Sequence, residues 1–334
     1  MASTLHHSTN NIPSHPDKTS HPRPARGSIT IKAMAFFKKH KVRASYELFS
    51  NYSYYLPGLG GMLILFLLFI AGSLLGSLLS GLFTLAMGTS AATASYSMLI
   101  SYPVSFIPPL LYASAQSRRN EIFDTGYALD SSNFGSKGGA VIALTVSLAT
   151  MAAAFVIEPL GTILPDMPAF LEEALKSMTN GPLWASLLSV SIFAPLFEEW
   201  LCRGLVLRGL LNKMNPTGAI CVSAAFFAIL HMNPWQAIPA FALGLLFGYV
   251  YYRTGSLKLT MLMHCVNNTM ATIFSRIPSF EDAETFMDIL SPWKYAGIYA
   301  ASILILASAI AIIRAIPVKD AKMGGCDKTD PLYI

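Results

Sequence analysis

Between Glu47 and Arg118 the chain contains no Asp, Glu, Lys or Arg. A helix crossing a bilayer needs about 20 apolar residues, so this stretch alone holds two. Helices are the form in which a single segment satisfies its own backbone polar groups in lipid. The rest of the chain agrees. Of 334 residues, 12% are charged and 53% hydrophobic, with a mean hydropathy of +0.50, where soluble domains carry about a quarter charged residues. Most of the surface must therefore face lipid, and length is read as a number of spans.

Eight apolar stretches stand out, at 56–86, 93–115, 138–162, 182–211, 217–232, 235–253, 257–275 and 293–315. The fold expected is an all-α integral membrane bundle of about eight helices around a polar cavity that holds the active site. Residues 46–316 form that domain, with a motif core at 182–275. A disordered basic tail occupies 1–45 and a second tail 317–334. Segment 166–179 is amphipathic and is expected at a membrane interface. Basic residues test the count. Lys32, Lys38, Lys39, Lys41 and Arg43, then Arg118, Arg119 and Lys137, then Arg208 and Lys213, then Arg253 and Lys258, then Lys319, Lys322 and Lys328 fall on one side of an eight-span chain. Asp166, Glu172, Glu173, Glu281, Asp282, Glu284 and Asp288 fall on the other. Both termini are thus expected on the cytoplasmic side of a plasma or inner membrane.

The net charge of +5 is no sign of nucleic-acid binding, because the Lys and Arg residues sit in loops and tails. The first 30 residues, rich in Ser, His, Pro and Thr, lack the apolar run of a secretory signal. His6, His7, His15 and His21 lie there with nothing to fix their geometry. Cys202, Cys221, Cys265 and Cys326 have no metal-ligand spacing, and no disulfide is inferred. Ala240, Gly244 and Gly248 make a face of small residues suited to close helix packing.

Ionisable residues inside spans are expensive and usually functional. Here they gather in three consecutive stretches. Glu198-Glu199-Trp200-Leu201-Cys202-Arg203 follows Pro195, which should loosen the helix one turn earlier. Glu199 and Arg203 stand at i,i+4 and can neutralise each other as a structural pair. Glu198 projects about 100° away from Glu199 and stays available for chemistry. Phe227-Ala228-Ile229-Leu230-His231 supplies an imidazole, and His264-Cys265-Val266-Asn267-Asn268 places His264 and Asn268 on one face. Asn267 points elsewhere, toward a neighbouring helix. At about 1.5 Å per residue the three stretches reach comparable depths, so one pocket can hold them.

One carboxylate, two imidazoles and an amide suit the activation of water. No Gly-x-Ser-x-Gly and no HExxH is present. Glu198 can serve as general base with His231 orienting the water. His264 and Asn268 can donate to a developing oxyanion. The order Glu-Glu-x-x-x-Arg, Phe-x-x-x-His, His-x-x-x-Asn on three late helices resembles the CAAX prenyl protease and bacteriocin-processing family (CPBP, or Abi) of intramembrane endopeptidases, related to the type II CAAX prenyl endopeptidases. The resemblance covers about 182–275. It implies an eight-helix fold with a water-filled cavity, Glu198 and His231 activating water, His264 and Asn268 as the oxyanion site, and Glu199 and Arg203 holding the helix. Eukaryotic members trim prenylated proteins. The partners expected are the lipid bilayer and a membrane-associated peptide or protein substrate, prenylated or not.

Other readings use the same residues. Glu198, His231 and His264 could form a zinc site with an open position, making a metallopeptidase where the first reading needs no cofactor. Intramembrane Glu, His and Arg also mark transporters and proton relays, although neither an inverted repeat nor a second polar cluster is visible. A non-catalytic scaffold or immunity factor is the third alternative.

Overall fold

The computed structural model describes residues 50–122, 126–280 and 285–318. The basic tail 1–45, Glu281, Asp282, Glu284 and Cys326 lie outside the described residues, as does the second tail from Lys319 onward. Among the described residues there are helices and turns and no strand. The main helices are α1 (Leu59–Met87), α2 (Ala91–Asn120), α3 (Gly139–Ile157), α4 (Ala169–Thr179), α5 (Leu183–Leu211), α6 (Pro216–Leu230), α7 (Pro234–Thr254), α8 (Leu257–Phe274) and α9 (Pro292–Arg314).

Each of the eight expected stretches is helical. Among the described residues five helices are long and apolar enough to cross a membrane: α1, α2, α3 with its 3₁₀ continuation to Ile163, α5 and α9. The other three, α6 to α8, are shorter or more polar. α6 has 15 residues, about 22 Å at 1.5 Å per residue against a hydrocarbon core of about 30 Å. The expected amphipathic segment is α4, an 11-residue helix carrying an exposed Lys176–Glu172 pair at 2.8 Å.

Lipid-facing helices need apolar side chains all round, and α1 shows this in its exposed Leu74, Leu78, Leu82 and Leu85. Its opposite side carries Gly72 and Gly76. A Cβ at Gly72 would sit 2.3 Å from the backbone oxygen of Ser105, and one at Gly76 would sit 2.6 Å from that of Ser101. Only glycine lets α1 and α2 approach so closely. The face of small residues in α7 behaves likewise. Gly244 lies against Ala224 of α6 and Gly248 against Ile220, and a Cβ at either would sit only 3.1 Å from that neighbour.

The centre of the bundle is α5. Over half of its most apolar window is buried (56%), against 17% to 33% in the other four spans. Trp200, Leu201, Leu205 and Leu207 of α5 pack with Leu65, Phe69, Phe106, Phe226 and Phe227. A second cluster joins α3, α7, α8 and α9 through Ile142, Val146, Phe247, Met263 and Ile313. Because the motif helices lie among other helices, they need less apolar surface than the outer ones. Length and hydropathy still mark α5 as a span and leave out α6, α7 and α8.

Several loops are fastened by single side chains. Asp130 Oδ1 accepts from the backbone N–H of Leu257 at 2.8 Å and from Ser256 Oγ, and Lys258 pairs with its other oxygen at 3.0 Å. A carboxylate at the start of α8 meets unsatisfied N–H groups and the positive end of the helix dipole. Arg253 donates to the carbonyls of Arg314 and Ile316, closing the end of α9. Arg208, counted among the loop charges in the sequence, is instead fully buried. It donates to the carbonyls of Tyr52 (3.0 Å), Ser53 (3.3 Å), Tyr55 (2.8 Å) and Tyr127. Its charge is met inside the fold by these carbonyl dipoles.

Candidate active site

Pro195 cannot donate a backbone hydrogen bond, and α5 adapts around it without breaking. Leu187–Phe193 and Trp200–Leu207 wind as π-helix, flanking the α-helical Ala194–Glu199. Wide turns of this kind are rare and recur at functional sites. The N–H of Ala194 bonds to the carbonyl of Ser189, five residues back. The next donor in that register would be Pro195, which has none, so the carbonyl of Val190 is left over. Asn268 Nδ2 of α8 donates to it at 2.8 Å. The loosening expected before Pro195 is therefore present as a π turn, and α8 satisfies the carbonyl that it frees.

The Glu199–Arg203 pair forms as its spacing requires. Both side chains have no exposed surface, and Arg203 Nη1 donates to Glu199 Oε1 at 2.7 Å. Arg203 Nη2 donates to the carbonyl of Gly244 at 3.0 Å. The guanidinium lies over the ring of Phe227 at 4.6 Å and 5.4 Å from that of Phe247, where the quadrupole of each ring attracts it.

Glu199 also does something that the sequence did not indicate. Its Oε1 accepts from His264 Nδ1 at 3.0 Å. An ionised carboxylate has no proton to give, so Nδ1 carries the hydrogen and Nε2 faces the other way. There it lies 3.8 Å from Oε2 of Glu198. His264 is thus held between the two adjacent glutamates, 4% exposed and flanked by Phe227 and Phe247.

Glu198 is almost enclosed, with 12% of its side chain exposed. Oε1 accepts from the hydroxyl of Tyr102 on α2. Oε2 is buried and has no protein partner within hydrogen-bond distance. At 3.8 Å, Oε2 and His264 Nε2 are too far apart to bond directly.

His231 ends α6 as its C-cap, one residue beyond the helix, whereas the sequence placed it within a span running to 232. Its Nδ1 donates to the carbonyl of Phe227 at 2.9 Å. A carbonyl only accepts, so Nε2 is the unprotonated nitrogen of the neutral ring. Asn233 Nδ2 holds the carbonyl of His231 at 2.9 Å, and Met232 between them takes a left-handed φ of 53°, a conformation that costs a non-glycine residue about 1–2 kcal/mol. His231 and His264 pack edge-on against one ring, Phe227, at 5.1 and 5.4 Å. Asn267, expected to reach a neighbouring helix, bonds instead to Asn268 Oδ1 on its own helix at 3.1 Å.

The structure therefore joins Glu198, Glu199, Arg203 and His264 directly, sets His231 beside them across Phe227, and places Asn268 one turn along α8. Tyr102 was missed, because it is 96 residues from Glu198 in a helix with no motif. Among the described residues, no three His, Cys, Asp or Glu side chains are grouped so as to hold a metal ion. Cys202, Cys221 and Cys265 are free thiols.

Comparison with known proteins singles out the same segment. Residues 180–270 match the family described as Rce1-like, type II CAAX prenyl endopeptidase. Over 88 residues the chain is 28% identical to a Bacillus subtilis (strain 168) protein named "Putative membrane peptidase YdiL". That alignment covers 26% of this chain and 36% of YdiL, so the chain spans little more than a third of the length of the curated relative that it matches. No solved structure matches significantly. With its apolar helices and this matched segment, the chain is a multi-pass membrane protein whose residues 180–270 are Rce1-like, similar to the type II CAAX prenyl endopeptidases.

Proposed function

We propose that this protein is an intramembrane endopeptidase that hydrolyses a peptide bond of a membrane-associated substrate, prenylated substrates included, by direct attack of water. The observation that carries this reading is the buried Oε2 of Glu198, which lacks a protein partner and faces His264 Nε2 at 3.8 Å. A lone carboxylate oxygen beside an imidazole nitrogen is where a nucleophilic water is held and deprotonated.

In this mechanism a water O–H gives its proton to Glu198 Oε2 while the oxygen attacks the peptide carbonyl. The bare Nε2 of His231 helps to orient the water. The oxyanion is met by Nε2–H of His264 in its doubly protonated form, with Glu199 holding Nδ1–H. It is also met by the N–H of Asn268 that does not bond to Val190, since an amide nitrogen has two. The C–N bond then breaks as the proton held by Glu198 passes to the leaving nitrogen, giving a carboxylate and an amine. Water enters the products directly and no acyl-enzyme forms. Glu199 and Arg203 keep α5, α7 and α8 in register.

The reading is supported by the similarity of residues 180–270 to type II CAAX prenyl endopeptidases and by this geometry. Its test uses the purified protein in liposomes with quenched fluorescent peptides, farnesylated and unmodified, with and without a strong zinc chelator. Cleavage should survive chelation and fall about a thousandfold in E198A. Equal cleavage by E198A would remove Glu198 as the base. Loss of wild-type cleavage on chelation would replace the water-activating glutamate with a zinc site.

A further inference from the structure

Tyr102 lies outside every motif, on α2, and nothing in residues 180–270 would point to it. Its hydroxyl donates to Oε1 of Glu198. The ring cannot easily turn away. It packs on Phe106 at 5.5 Å, and Phe106 stacks on Phe197, the neighbour of Glu198, at 5.2 Å and 17°. Pro103 follows at once and removes one helical hydrogen bond, which is the ordinary cause of a local bend. The backbone of α2 is meanwhile pinned against Gly72 and Gly76 of α1.

We infer that Tyr102 is a positioning residue for Glu198: it occupies Oε1 and so fixes the carboxylate plane with Oε2 as the one oxygen left without a protein donor. The inference rests on Glu198 being the base. A carboxylate has two oxygens and can rotate about its last torsion. Without a donor on Oε1, either oxygen can turn toward His264 Nε2, and the 3.8 Å gap can close to a direct ion pair that expels the water. With the phenol in place that rotation is blocked, and Oε2 stays 3.8 Å from His264 Nε2. The phenol comes from a different helix from the motifs, so it also makes activity depend on how α2 meets α5.

The test is Tyr102→Phe, which keeps the ring and removes only the hydroxyl. In the liposome assay kcat should fall about ten- to hundredfold with KM unchanged, the size expected for one hydrogen bond to a charged group, and the thermal midpoint should stay within a degree or two. Adding Y102F to E198A should cost nothing further. An infrared readout needs no substrate. The Glu198 carboxylate band, assigned by its loss in E198Q, should shift in Y102F. An unshifted band, a kcat within about twofold of the parent, or a raised KM at constant kcat would each overturn the inference. Activity in E198A would overturn the base assignment instead, and the infrared band separates that failure from the absence of the Tyr102–Glu198 bond.

Discussion

One oxygen, Oε1 of Glu199, receives both Arg203 and His264. That arrangement decides what mutations here should do. Removing Arg203 strands a buried carboxylate, so R203M should lose about 3–5 kcal/mol of stability, measured by unfolding in detergent. Removing both charges in E199M/R203M should recover much of that loss, because the stranded charge is gone. The double variant should still lack activity, since His264 then has no acceptor to fix its tautomer. If R203M and the double variant were equally unstable, the pair would be contributing packing and not charge compensation. At this scale the sequence was informative where geometry is local. Glu199 and Arg203 are four residues apart on one helix, and their contact follows from that spacing. The bond from Glu199 to His264 and the bond from Tyr102 to Glu198 join different helices. No intrahelical rule reaches them, and Tyr102 carries no charge to attract notice.

At the scale of the element, α5 shows what Pro195 does in a helix that cannot afford to break in lipid. The π turns before and after it keep the chain continuous, and Asn268 takes the carbonyl left over. Asn268→Leu should therefore harm both stability and turnover, whereas Asn268→Asp should leave the Val190 carbonyl without its donor at unchanged volume. Pro195 announced a disturbance in the sequence, but the choice of a π register over a kink depends on the α8 side chain waiting beside it. The α1–α2 contact offers a cleaner test. Gly72→Val places atoms against the backbone of Ser105 and should cost about 3 kcal/mol or more, while Gly81→Ala, which faces open space, should be neutral to slightly stabilising. Equal effects of the two would show that the helices do not meet at Gly72.

Over the whole molecule, the eight helical stretches were legible because each is bounded by turn residues and most are continuously apolar. Helices α6 to α8 are harder to read as spans, since α6 is short and α7 and α8 are less apolar than the outer helices. Loop charges can mislead at this scale, as Arg208 does by turning inward to bind carbonyls. If all eight stretches cross, reporters fused to the two ends of the chain lie on the same side, expected to be the cytoplasmic one. Reporters on opposite sides would mean that a stretch such as the 15-residue α6 dips in and returns without crossing.

The buried guanidinium of Arg208 also imposes an order on biosynthesis. It closes on Tyr55, 153 residues earlier in the chain, which at ordinary translation rates is synthesised on the order of ten seconds before it. During that interval the carbonyl of Tyr55 must do without this guanidinium, and the first two helices must hold together through their own glycine contacts. α5 thus arrives at a hairpin already made, and its arginine is the latch that ends the assembly of the N-terminal half.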